Sequence, residues 1–320
     1  MPTKIKQDKE PGWYYRLSTY FREHFGQPVY KIPLDAGFNC PNRDGTVGRE
    51  GCIYCYNPSF SPFSNRDKPL SIDEQLARGK KKNKKAAYLA YFQSYTNTYA
   101  APEKLAFLYD RALADPEVIG LSIATRPDCV SDAILDLLEG YARRCHLWVE
   151  YGLQSAHDRT LQLINRGHDS TAFTRAVAET RRRGILVCAH IILGLPGENK
   201  EMYDETIEFL NCSGVEGVKF HHLQVIRHTN LARLYERGKV TLFESAASYI
   251  PVICNCLERL SPATVVHRLA GQVTSADLLI APRWPESAGR IAAMVEDELK
   301  QRGSWQGRLY QQNKNCKGIS

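Results

Sequence analysis

The sequence predicts an α/β protein built on a parallel sheet, and three observations carry that prediction. Six short apolar runs are present, the last five recurring roughly every thirty to forty residues, helical patterns fill the gaps between these, and a glycine-rich loop bearing cysteines follows the first run. The runs are residues 29–34, 87–92, 118–125, 146–153, 186–195 and 217–226. Each is rich in apolar, β-branched or aromatic residues and too short for a typical independent helix.

The intervening segments carry helix signals of distinct kinds. Ser71 and Glu74 form a capping box that opens a helix running into basic residues. Leu105, Leu108, Tyr109, Ala112 and Leu113 repeat at helical spacing and make one apolar stripe. Ser131 stands ahead of a second stripe of Ile134, Leu135, Leu138 and Tyr141, and Tyr203, Ile207 and Leu210 mark a third after Pro196 and Gly197. Beyond the sixth run, residues 243–260 read as a helix, 265–269 and 278–281 as short apolar runs, and 287–301 as a closing helix. The organisation expected is an N-terminal segment (1–28), a strand–helix repeat (29–242) and a C-terminal extension covering it (243–320). Six parallel strands fit either an open doubly wound sheet or a partial barrel, and in both the chemistry gathers at the carboxyl ends of the strands. The glycine fingerprint of dinucleotide binding is missing from the first turn.

What that turn carries is Cys40, Cys52 and Cys55, spaced C-x11-C-x2-C. Three thiolates without a fourth nearby suit an iron–sulfur cluster that leaves one iron free of protein ligands. Structural zinc requires four protein ligands, and the nearest histidines in sequence are His24 and His146. The remaining cysteines are scattered, which is the pattern of a reducing compartment rather than a disulfide framework. Cys129, Cys145, Cys188 and Cys212 lie in or beside apolar runs and read as buried thiols. No apolar run approaches the ~20 residues that span a bilayer, and the N-terminal residues lack the apolar core of an export signal. A cytoplasmic location without membrane contact is the expectation. The net charge of +7 is unevenly placed, with six basic residues among the eight at 78–85. Such a run meets RNA phosphates or is the solvated end of a helix.

The cysteine loop, the six strand–helix units and the segments DAGFNCPNRDG (35–45), YFQSYTNT (91–98) and HRLAGQ (267–272) resemble the radical S-adenosylmethionine superfamily. These segments closely resemble a group of short bacterial proteins related to the radical domain of the elongator catalytic subunit. The resemblance implies a (β/α)6 partial TIM barrel with a C-terminal extension. It also implies two cofactors, a 4Fe-4S cluster on Cys40, Cys52 and Cys55 and S-adenosyl-L-methionine. Tyr54, between the paired cysteines, matches the aromatic position against the adenine. Gln93 and Ser94 stand where the family binds the methionine amine through a Gly-Gly-Glu segment, so a neutral amide or hydroxyl replaces a carboxylate there. Glu150 resembles the acidic position that contacts ribose or the cofactor amine, its alternative being an ion pair inside the barrel. Arg166 fits the position that clasps the methionine carboxylate, a task suited to a planar fork. Gly194, after the fifth strand, allows backbone to approach a flat ring closely.

The activity implied is reductive cleavage of S-adenosylmethionine to a 5′-deoxyadenosyl radical. The electron donor would be of the flavodoxin or ferredoxin kind, and the substrate is unknown, with RNA, including tRNA, a candidate. A noncatalytic iron–sulfur sensor or scaffold on the same fold is the alternative. His190, Lys219, His221, His222, Tyr95, Tyr99 and Arg126 are further candidates for the barrel mouth, although strand alternation turns His221 and His222 to opposite sides.

Overall fold

The computed structural model describes residues 12–61, 63, 70–80 and 86–312. In chain order its strands are β1 (Val29–Leu34), β2 (Ala87–Phe92), β3 (Val118–Thr125), β4 (His146–Gln154), β5 (Leu186–Leu193), β6 (Gly217–His222), β7 (Val225–Ile226), β8 (Val265–Arg268) and β9 (Leu279–Ala281). The helices are α1 (Leu17–Phe25), α2 (Pro41–Asp44), α3 (Ile72–Gly79), α4 (Pro102–Leu113), α5 (Asp132–Ala142), α6 (Asp158–Leu163), α7 (Ser170–Arg182), α8 (Lys200–Ser213), α9 (Asn230–Glu236), α10 (Ala246–Arg259) and α11 (Ala288–Gln301).

The main sheet is entirely parallel, in the order β1-β2-β3-β4-β5-β6-β8. A doubly wound sheet reverses its strand order at a switch point so that helices cover both faces. Here the order never reverses. Right-handed crossovers then put the helices on one side and leave the other as a lumen, which is a partial TIM barrel.

Two of the expected runs behave differently from their sequence reading. Residues 217–226 form two strands, because the chain leaves the sheet after His222 and β7 pairs antiparallel with β9. Residues 265–268, expected in the covering extension, instead join the main sheet as a seventh strand beside β6. Cys212 also departs from expectation, since it is disulfide-bonded rather than a buried free thiol.

Alternation along the strands separates two kinds of core. Outward residues such as Leu34, Phe92, Ile123, Val149, Val187 and Phe220 pack under the helix layer. At the amino ends of the strands, Val29, Leu89, Trp148, Cys188 and Val265 meet Tyr20 and Phe21 of α1, giving the lumen an apolar floor. Helix α1 packs against both β1 and β8, the two edge strands of the open barrel. The edge of β8 is paired as well, for Val266 donates its N–H to the Tyr15 carbonyl at 2.8 Å.

The expected helix starts are present. Ser71 and Glu74 make the reciprocal capping box of α3, and Ser131 and Asn199 cap α5 and α8. Among the described residues no helix is long and apolar enough to cross a membrane.

Candidate active site

Above the apolar floor the lumen turns polar, and its centre is Glu150. Inward-facing strand positions bring Lys31 from β1, Ser122 from β3, His190 from β5 and Lys219 from β6 onto this fully buried carboxylate. Ser122 Oγ donates at 2.5 Å, His190 Nε2 at 2.6 Å and Lys219 Nζ at 3.1 Å, while Lys31 also pairs with it. Lys31 Nζ further donates to His267 Nδ1 at 3.2 Å, and Lys219 Nζ donates to the Tyr91 hydroxyl at 2.7 Å. Burial opposes ionisation of Glu150, but the two ammonium groups and the His190 and His267 contacts hold its carboxyl well below the usual range. Burial foremost pushes His190 down to about 4, so a neutral imidazole donates to the carboxylate. Glu150, Cys188 and His190 lie close enough to hold a metal ion. Two lysines already neutralise that carboxylate, and a cation would add to their charge.

One cavity of about 390 Å³ runs from this cluster to the cysteine loop. Cys40, Cys52, Cys55, Tyr54, Gln93, Ser94, Glu150 and Arg166 all line it. The loop is tied to the turn after α6. Asn42 Nδ2 donates to the Asn165 carbonyl at 2.7 Å, Asn165 Nδ2 to the Gly51 carbonyl at 2.7 Å, and the Ile53 N–H to the Ile164 carbonyl at 3.0 Å. Arg43 reaches the Cys55 carbonyl. Arg166, expected beside the cofactor, is buried here. It donates Nε and Nη2 to the Gly152 carbonyl at 3.1 and 2.7 Å and Nη1 to Cys52 Sγ at 3.6 Å. Two of the five N–H bonds of a guanidinium remain. Arg126 supports it from behind, forking onto Asp128 and donating to the Arg166 carbonyl at 2.8 Å.

The residues present fit an iron–sulfur cluster. Among the described residues the three loop sulfurs do not form a group within 4.8 Å of one another. A single tetrahedral zinc would draw thiolates to about 3.8 Å apart. Wider spacing suits a polynuclear group, and thiolate is the donor such clusters take. Ser94 Oγ, on the same cavity, is buried without a hydrogen-bond partner.

Two expected positions have partners within the chain. Glu150 has its oxygens taken by lysines, a histidine and a serine, the ion-pair alternative. Gly194 does not line the cavity. The flat ring at its α-carbon is Phe243 of this chain, where an added Cβ would stand 3.0 Å from the ring. His221 and His222 follow alternation only in part. His221 lies beside His190 of the neighbouring strand, ring centroids 5.6 Å apart, and His222 stacks on Trp284 at 4.1 Å, yet both reach the cavity because the strand ends there. Lys31, Arg268 and Gln272 were not singled out by sequence. The signal was a lysine inside an otherwise apolar strand run and a basic pair, His267 and Arg268, within the extension's first run.

The comparisons with known proteins agree with this geometry. The Radical SAM superfamily model matches residues 40–210, and the Radical_SAM C-terminal domain model matches residues 215–301. The uncharacterised protein YtqA of Bacillus subtilis is 41% identical over 301 residues, covering 93% of each chain. A tRNA uridine(34) acetyltransferase of Methanocaldococcus infernus is 30% identical over 163 residues, 46% of this chain and 30% of that protein. In structure, the archaeal Methanocaldococcus infernus Elp3 with an N-terminal deletion superposes with a TM-score of 0.64 at 18% identity, covering 87% of this chain and 64% of that one. With the superfamily model spanning over half the chain and the identity to YtqA running nearly end to end, this chain belongs to the radical SAM superfamily, enzymes whose cofactors are a 4Fe-4S cluster and S-adenosylmethionine.

Proposed function

We propose that this enzyme cleaves S-adenosylmethionine reductively to begin radical modification of its substrate, with Cys40, Cys52 and Cys55 as the cluster's protein ligands. The observation that carries the reading is that all three thiols open on one cavity that continues into the polar lumen. When bound and reduced, the cluster supplies the electron that splits S-adenosylmethionine into methionine and a 5′-deoxyadenosyl radical. The chain's own residues bind and orient. Gln93 and Ser94 offer a neutral acceptor to the methionine amine, Arg166 turns its two remaining N–H groups to the carboxylate, and Tyr54 lies against the adenine. The apolar floor and the cover from the extension exclude water. Thr274 belongs to that cover, where its N–H donates to the Ser59 carbonyl at 2.8 Å.

Members of the family need a reductant, and a flavodoxin or ferredoxin is the donor we propose. For the substrate, likeness to a protein named for tRNA uridine supports RNA. The basic run at 78–85 was the sequence's own pointer to RNA. Its residues 81–85 lie outside the described residues, and Lys80 is committed to Asp115 at 2.6 Å and Glu117 at 2.5 Å.

The test is anaerobic reconstitution with iron and sulfide, then dithionite and S-adenosylmethionine. 5′-Deoxyadenosine should form, and iron content should fall to background when the three cysteines are replaced by alanine. A full cluster in the triple variant, or none of the product from a fully loaded wild type, would sink the proposal.

A further inference from the structure

We propose that the basic end of the cavity, built from Lys219 on β6 and Arg268 on β8, seats an oxyanion of the substrate, a phosphate or carboxylate group. The inference rests on the functional reading above only in taking the bound molecule as substrate.

The lumen holds an unbalanced charge. Lys31 and Lys219 share the one carboxylate of Glu150. Arg268 adds a third cation, so the four groups sum to an excess of two positive charges. The side chain of partly buried Arg268 makes no hydrogen bond or ion pair among the described residues, although a guanidinium carries five donors. It lines the cavity beside Lys219 in the strand register, and its charge bears on Tyr91, Lys219 and His221. On the same cavity, His222 is 5% exposed and leaves Nδ1 without a partner. Buried cations are ordinarily paired. A planar fork with free donors next to an ammonium is the arrangement that binds phosphate or carboxylate. Cofactor carboxylate is the other anion at hand, but the free donors of Arg166 lie at the cysteine end. Glu150 then neutralises Lys31 and holds Lys219 in place for this role.

The experiment is calorimetric titration of cluster-reconstituted protein with inorganic phosphate and, separately, malonate, with ionic strength held by chloride. Wild type should bind at least one saturably, and Arg268→Gln should bind it about tenfold more weakly or worse. Because Arg268 has no protein partner, the variant should melt no lower than wild type in chloride, which keeps the comparison valid. The two small anions separate phosphate from carboxylate chemistry, and a third arm with total tRNA tells whether the phosphate comes from RNA. Absence of binding to wild type, equal binding by the variant, or displacement of the anion by S-adenosylmethionine would each overturn the assignment. 5′-Deoxyadenosine formation by the same wild-type preparation reports separately on the functional reading.

Discussion

Ser94 and Tyr95 hold consecutive positive φ angles of 79° and 60°, a conformation that costs non-glycine residues roughly 1–2 kcal/mol each. Ser94 also buries a hydroxyl without a partner. Two penalties at one cavity-lining residue are what a preformed ligand contact looks like. Ser94→Gly should therefore leave unfolding free energy unchanged or raise it by up to about 1 kcal/mol, while weakening S-adenosylmethionine binding. Thermal melts of the variant beside its titration with the cofactor decide this, and lost stability with unchanged affinity would refute it. Histidines set a second property at this scale. Burial foremost pushes His146, His190 and His222 down to about 4 from 6.5. Below pH 6.5 the unfolded chain takes up protons that the folded chain refuses until about pH 4. Stability is complete above 6.5 and is lost through that window, by at most about 1.4 kcal/mol per histidine per pH unit. Denaturant titrations at pH 7.5 and pH 5 should show the fall. Equal stability at both would mean that these rings do not resist protonation.

At the scale of elements, the pairing of β3 with β4 depends on one glycine. A Cβ on Gly120 would lie 2.0 Å from the His146 carbonyl oxygen, which is backbone and cannot yield without opening the ladder. Gly120→Ala should cost at least about 3 kcal/mol. Gly140, inside α5, has nothing within 4 Å of its Cβ position, and Gly140→Ala should gain about 1 kcal/mol from helix propensity. Chemical denaturation of the two variants checks both signs. Helix boundaries were legible beforehand because caps are local: Ser71 with Glu74, and Ser131 ahead of its stripe, act within one turn. Gly120 gave no such warning, since its constraint comes from a strand 26 residues on.

For the whole molecule, the extension is part of the barrel's construction. A chain ending at residue 242 loses β8 from the main sheet, and with it Tyr249, Ile253 and Leu257 of α10, all at 0% exposure in the core. It would also expose the hydrogen-bonding edge of β6. Such a truncation should give insoluble protein or one without a cooperative melt, as solubility and circular dichroism would report. A soluble, cooperatively folding product would show that the barrel is self-sufficient.

Periodicity and local motifs alone determined the α/β class, most strand positions, the helix starts and the cysteine triplet, because each depends on neighbours a few residues away. Barrel or open sheet stayed undecided on those grounds, since strand order is a property of crossovers and not of any run's composition; the family resemblance supplied the barrel, and the unreversed order of seven strands established it. The same holds for the site. For Glu150 the sequence left a cofactor contact and an ion pair both open, and its partners Lys31, 119 residues away, and Lys219, 69 residues away, come only with the fold. Gly194 was expected to let backbone approach a flat ring, and the fold sets Phe243 beside it. Arg268 stood in the HRLAGQ segment, but nothing in that segment said that its side chain would find no partner in the chain. A side chain's partners lie across the lumen on other strands, and only the closing of the sheet decides which charges are matched and which one is left over.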